Sequence, residues 1–96
     1  MGTLYQYRCS ACGYEAQVSG GEDAGEMAGT TTILCEDCCK LWDVVVARIE
    51  PGPVFHNLVP ICPRSSRHKV RPWVYPDSCP RCSELMARGQ VVRLWD

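Results

Sequence analysis

Apolar and polar positions alternate in short runs along this chain, and the runs are broken at intervals by cysteine pairs. Residues 4–8, LYQYR, alternate with the period of a half-buried strand, and YEAQV at 14–18 can return as its partner. TTTIL at 30–34 is a β-branched run that predicts a further strand. KLWDVVVARIE at 40–50 fits either period, since Leu41, Val44, Val45 and Arg48 could share a helix face; its three consecutive valines favour a strand. KVRPWVYP alternates Val70, Trp73 and Tyr75 around Pro72, which predicts an edge strand, and QVVRLWD at 90–96 predicts a last one. Between these lie SGGEDAGEMAG at 19–29, expected to be a mobile hairpin tip or linker, and PGP at 51–53, the clearest break. The glycines at 20–29 are no phosphate loop, because no lysine follows them and the neighbouring acids repel phosphate. The pattern predicts a small, mostly β fold of short antiparallel strands, divided at the break into residues 1–50 and 54–96.

Ninety-six residues make a thin core, and eight of them are cysteine. The cysteines fall as Cys9-x2-Cys12, Cys35-x2-Cys38 followed by Cys39, a single Cys62, and Cys79-x2-Cys82. Two thiolates across a tight turn can reach one Zn²⁺ at about 2.3 Å, and two such turns complete a tetrahedron. A disulfide framework is the competing reading. The N-terminal residues show no basic region followed by an apolar one, so reduced thiols and a cytoplasmic location are expected. No apolar run approaches the length of a membrane span.

Spacing along the chain pairs Cys9 and Cys12 with Cys35 and Cys38 as a first zinc site, 22 residues apart across the glycine-rich segment. Cys38 is preferred to Cys39 because the x2 interval turns both sulfurs inward. The second site would take Cys62, Cys79 and Cys82. CPRS at 62–65 resembles a knuckle whose second cysteine has become Ser65, a poor ligand because its hydroxyl stays protonated. His68 is the expected fourth donor; His56 is the other histidine, and water or an empty site completes the alternatives.

YRCSACGYEAQVSGG with TTTILCEDCCKLWDV resembles the small bacterial zinc-ribbon proteins of unassigned function, and CPRSSRHKVRPW with SCPRCSELM resembles a second ribbon. The resemblance covers most of the chain and implies two zinc-ribbon lobes. It says little about function, because ribbons serve many roles.

Charge separates the halves. Residues 1–43 carry Arg8 and Lys40 against seven acids, a formal −5, whereas residues 44–96 carry a formal +4. Arg64, Arg67, Lys69 and Arg71, with Trp73 beside them, form a candidate patch for nucleic acid or an acidic partner, the rings stacking on bases. The sequence pI near 6.1 weighs against a dedicated nucleic-acid binder. The expected function is a non-enzymatic zinc-binding adaptor or regulatory protein acting on a protein or nucleic-acid partner. Two other classes compete: a rubredoxin-like iron electron carrier, and a zinc hydrolase using an open position at Cys62, Cys79 and Cys82, with Glu84 or His68 as base.

Overall fold

A computed structural model describes residues 2–24, 28–49, 55–57 and 59–95, and among them there are eight strands and no helix. The strands are β1 (Gly2–Arg8), β2 (Glu15–Val18), β3 (Asp23–Ala24), β4 (Ala28–Cys35), β5 (Lys40–Ile49), β6 (Phe55–Asn57), β7 (Val70–Pro72) and β8 (Ala87–Trp95). The fold is mostly β with small antiparallel sheets, as the alternation predicts. Within the ambiguous segment, Lys40–Ile49 is the strand β5, paired with β4 from Cys35↔Lys40 to Ala28↔Arg48. The division at 51–53 lies outside the described residues.

Strand pairing does not follow the two halves of the sequence. One sheet has the order β2-β1-β8, so the last strand hydrogen-bonds to the first. The other has the order β3-β4-β5-β6, and β7 shares the free side of β4 through Ile33↔Pro72, Leu34↔Arg71 and Cys35↔Val70. Residues 1–50 and 54–96 therefore complete each other's sheets. Pro72 sits on an edge strand, where its missing N–H removes no ladder bond.

The core lies between the sheets and is built on Tyr7, Val18, Leu34, Leu41, Trp73 and Met86, with Cys9 and Cys79 among them. Trp73 has no solvent exposure. It meets Tyr7 edge-on at 5.2 Å between ring centroids, and its indole N–H donates to the Ser78 carbonyl at 2.8 Å. Rings of this size dominate the apolar area of a small core. This corrects one expectation: Trp73 cannot stack on a ligand, because alternation around Pro72 turns it inward.

The glycine-rich segment is also corrected at its start. Ser19, Gly20 and Gly21 are buried, not a mobile tip. Thr32 Oγ1 accepts the N–H groups of Gly20 and Gly21 at 2.9 and 3.1 Å and donates to Asp43 Oδ1 at 2.5 Å. Asp43 Oδ2 accepts the backbone N–H and hydroxyl of Ser19 at 2.8 and 3.1 Å. Burial pushes the Asp43 carboxyl up, against the donors from Thr32 and Ser19. Gly20 has a φ of +87°, and a Cβ there would lie 1.9 Å from the Tyr7 hydroxyl oxygen. Only glycine fits that turn.

Candidate metal centres

Three knuckles share one backbone design. The first Cys carbonyl accepts an N–H from the residue after the second Cys: Gly13 to Cys9 at 2.8 Å, Cys39 to Cys35 at 2.9 Å, and Ser83 to Cys79 at 3.0 Å. Those three residues have positive φ, +83° at Gly13, +55° at Cys39 and +69° at Ser83. Each knuckle is thus a turn closed by a left-handed residue. Backbone N–H groups also point at sulfur, from Cys38 to Cys35 Sγ at 3.3 Å and from Arg81 to Cys79 Sγ at 3.4 Å. Cys62-Pro63-Arg64 repeats the first half of Cys79-Pro80-Arg81, with the Arg64 N–H 3.4 Å from Cys62 Sγ. Where Cys82 completes the later knuckle, Ser65 instead builds a turn. Its carbonyl accepts the His68 N–H at 3.2 Å and its hydroxyl accepts the Arg67 N–H at 3.2 Å. That turn carries His68 back to the cysteines.

The donors assemble into two groups, Cys9, Cys12, Cys79 and Cys82, and Cys35, Cys38, Cys62 and His68, each with all ligand atoms within 4.8 Å of one another. The partition differs from the sequential one. The structure does not join Cys9 and Cys12 to Cys35 and Cys38, nor Cys62 and His68 to Cys79 and Cys82. Pairing of β1 with β8 brings the first and last knuckles together, and pairing of β4 with β7 brings the His68 segment to the middle one. Cys39 stands apart from both groups, exposed, with its thiol directed to the Glu36 carbonyl at 3.5 Å.

The spacing of the donor atoms tests the fit to a metal. A tetrahedron of 2.3 Å metal–sulfur bonds has edges of about 3.8 Å, and replacing one sulfur by a nitrogen at about 2.05 Å gives mixed edges of about 3.6 Å. Cys9 Sγ lies 3.3 Å from Cys82 Sγ, and Cys12 Sγ lies 3.6 Å from Cys79 Sγ. In the other group Cys38 Sγ lies 3.7 Å from Cys62 Sγ, and His68 Nδ1 lies 3.5 and 3.4 Å from Cys35 and Cys38. Four of these separations lie within about 0.2 Å of the tetrahedral edges, the Cys9–Cys82 pair is about 0.5 Å shorter, and all are far longer than a disulfide bond. All eight cysteines are free thiols. Both groups could hold a metal ion.

Their electrostatics point the same way. The Cys12 backbone N–H, with Cys82 and other donors, overcomes burial and lowers the Cys9 thiol to about 7. Burial of Cys62 is outweighed by the Arg64 N–H and His68, which bring it to about 6. Cys38, Cys79 and Cys82 resist a second negative charge. Burial and the neighbouring Cys35 and Cys62 push Cys38 up to about 11. At Cys82 the Glu84 N–H favours the thiolate, but Cys9, burial, Cys12 and Cys79 together push it up to about 12. Cys9 and Cys62 form thiolates readily, whereas Cys38 and Cys82 need a compensating cation.

Of the candidate patch, Arg64, Arg67 and Lys69 are exposed. Arg71 is partly withdrawn: it pairs with Asp77 at 3.3 Å and donates to Ser78 Oγ at 3.0 Å. The His56 side chain lies outside the described residues. The three cysteines of an open hydrolytic site are divided between the two groups, so the structure does not assemble that site. No helix among the described residues is long and apolar enough to cross a membrane. No family model matches the chain, and neither does any curated protein or solved structure.

Proposed function

We propose that the chain is a zinc-held binding module, a double zinc ribbon with interleaved ligands, that acts through protein contacts and catalyses no reaction. The observation that carries this reading is closure of both donor sets. Each gathers four protein donors within 4.8 Å of one another, a full set for one tetrahedral zinc ion. Thiolate-rich closed sites are the pattern of structural zinc. The Cys3His set also disfavours iron of the rubredoxin kind, which takes four thiolates.

Charge favours a protein partner over nucleic acid. Seven thiolates and two divalent ions lower the formal charge of −1 by three, to −4. The exposed Arg64, Arg67 and Lys69 then sit beside an anionic Cys3His centre, and Trp73 is not available for stacking. A reducing compartment, the cytoplasm, suits seven metal-bound thiolates.

Native mass spectrometry with metal analysis of untagged protein tests the reading. Two zinc ions per chain and a colourless solution are expected. One equivalent, or the red colour of iron tetrathiolate, overturns it.

A further inference from the structure

The face formed by β1 and β8 carries a feature that neither metal centre uses. Arg88 of β8 is set among tyrosines, its guanidinium 4.3 Å from the ring centroid of Tyr5, 4.5 Å from Tyr75 and 5.6 Å from Tyr7. Its Nε–H donates to the Tyr7 hydroxyl at 2.9 Å, and that hydroxyl donates to the Ser19 carbonyl at 3.2 Å. The plane of the guanidinium is therefore fixed from its faces and from Nε. No carboxylate lies within 4.0 Å of it among the described residues, where the ion pairs are Arg8–Glu15 and Arg71–Asp77. Asp23, which lines the same pocket, is held by other groups: its oxygens accept the N–H groups of Thr3 at 2.7 Å and Ala24 at 2.9 Å. Among the described residues Arg88 is thus a pre-organised fork without a counterion.

The fork opens on a pocket of about 350 Å³ whose walls include Tyr5, Ser19, Gly20, Gly21, Val74 and Tyr75. Of the exposed apolar side chains, Val74 lies on its wall. On the antiparallel ladder Arg88 is opposite Tyr7, Val91 opposite Tyr5 and Leu94 opposite Thr3, which places Arg88, Val91 and Leu94 on one face of the sheet. Val91 is 50% exposed, Leu94 57%, and Val74, on the pocket wall, 57%. Strand β8 has Arg88 and Arg93 and no acid. Among the described residues it pairs only with β1.

We propose that this face docks an extended segment of a partner protein in which one carboxylate side chain is flanked by apolar residues. The carboxylate takes the two free nitrogens of Arg88 as a bidentate pair, and the apolar residues cover Val91, Leu94 and Val74. Arginine and tyrosine set in a pocket with an apolar border are the composition of an interface hot spot. Glu22 and Asp23 line the same pocket, so the bidentate pair with Arg88 must outweigh their repulsion, and a second negative charge on the segment is disfavoured further. The proposal rests on the chain being a metal-held protein-binding module and supplies the site that reading lacks.

The test uses the full chain with its zinc content measured first, so that loss of the metal centres is told apart from failure of docking. The probes are the peptide acetyl-Val-Thr-Glu-Thr-Val-amide and its glutamine counterpart, titrated while side-chain NMR resonances are followed. The glutamate peptide should shift the Arg88 Nε–H and the Val91 and Leu94 methyls with a dissociation constant below about 1 mM, and the glutamine peptide should bind at least about tenfold more weakly. Arg88→Gln should erase that difference, and Arg88→Lys, which keeps the charge without the fork, should retain part of it. Leu94→Asp, on an exposed position that leaves the tyrosine cluster intact, should weaken the glutamate peptide several-fold. Equal binding of the two peptides, or no shift at Arg88 with two zinc ions bound, overturns the proposal. So does a uridine octanucleotide that moves the same resonances more strongly than the glutamate peptide.

Discussion

The two donor sets are built differently, although each gathers four ligand atoms within 4.8 Å of one another. The outer one joins the first and last knuckles, two complete turns with four sulfurs, and it closes the sheet in which β8 pairs with β1. The inner one combines a complete knuckle, a half-knuckle at Cys62 and a histidine returned by the Ser65–His68 turn. In sequence the outer set encloses the inner one. The outer set therefore fixes the path of nearly the whole chain, and the inner set fixes the approach of the 59–70 segment to β4. Equal donor numbers conceal unequal places in the chain.

The largest effect should come from breaking the outer set. Cys79→Ser leaves three thiolates around that metal and forfeits much of a binding free energy on the order of 10 kcal/mol. That is comparable with the whole stability of an ordinary domain, about 5–15 kcal/mol. The substitution also releases the knuckle that holds β8 beside β1, next to the Tyr7–Trp73 contact. Loss of one zinc ion together with the near-ultraviolet circular dichroism of the core is expected. Retention of that signal would show that the sheet closes without its metal.

A change in the inner set should be smaller and local. His68→Ala should remove one zinc ion per chain and leave the core signal in place, because none of the inner donors belongs to the cluster around Trp73. His68→Cys should restore two ions, since a fourth thiolate can take the vacated corner. Unfolding on His68→Ala would remove the distinction drawn between the two sets. A full complement of zinc in that variant would take His68 out of the ligand set.

The contrast also explains what the sequence made legible. Alternation at β1, β2 and β8 and β-branched runs at β4 and β5 placed these strands close to their observed bounds, although β4 ends in four consecutive buried residues and no residue of β8 is buried. Donor identities were legible as well: the x2 interval and the vacancy at Ser65 mark the same eight residues that the structure gathers. Their partition was not. Sequence proximity joins Cys12 to Cys35 across 22 residues, whereas the structure joins Cys12 to Cys79 across 66. Closing a loop three times longer costs only about 1 kcal/mol more. The β1–β8 ladder and the buried Tyr7 and Trp73 rings offset that easily, and no local spacing records their pairing. The buried Ser19–Thr32–Asp43 network was hidden for the same reason, since its members are polar residues whose partners lie 11 to 24 positions away. The Arg88 site depends on Tyr5, Tyr7 and Tyr75 converging from distant segments, and no motif announces it.

The finest comparison concerns the residue that closes each knuckle. The outer set uses Gly13 in its first knuckle and Ser83 in its second, and the inner set uses Cys39, all in the left-handed region. Glycine adopts that region freely, whereas a residue with a Cβ is penalised by about 1–2 kcal/mol. Nothing lies within 4 Å of a Cβ built on Gly13, so Gly13→Ala measures the backbone penalty alone. It should destabilise by about 1 kcal/mol. Cys39→Gly should move the other way, by somewhat less, because glycine also gains freedom in the unfolded chain. For a domain of this size each kcal/mol corresponds to about 4–8 °C in the midpoint of thermal unfolding. Differential scanning calorimetry of the zinc-loaded proteins should therefore show the two substitutions displaced to opposite sides of the parent. The Cys39 thiol reaches only the Glu36 carbonyl at 3.5 Å, so removing it sacrifices little. If Cys39→Gly lowered the midpoint or the zinc content, Cys39 would have to share in holding the inner metal, and the x2 rule that assigns Cys38 alone would fail there.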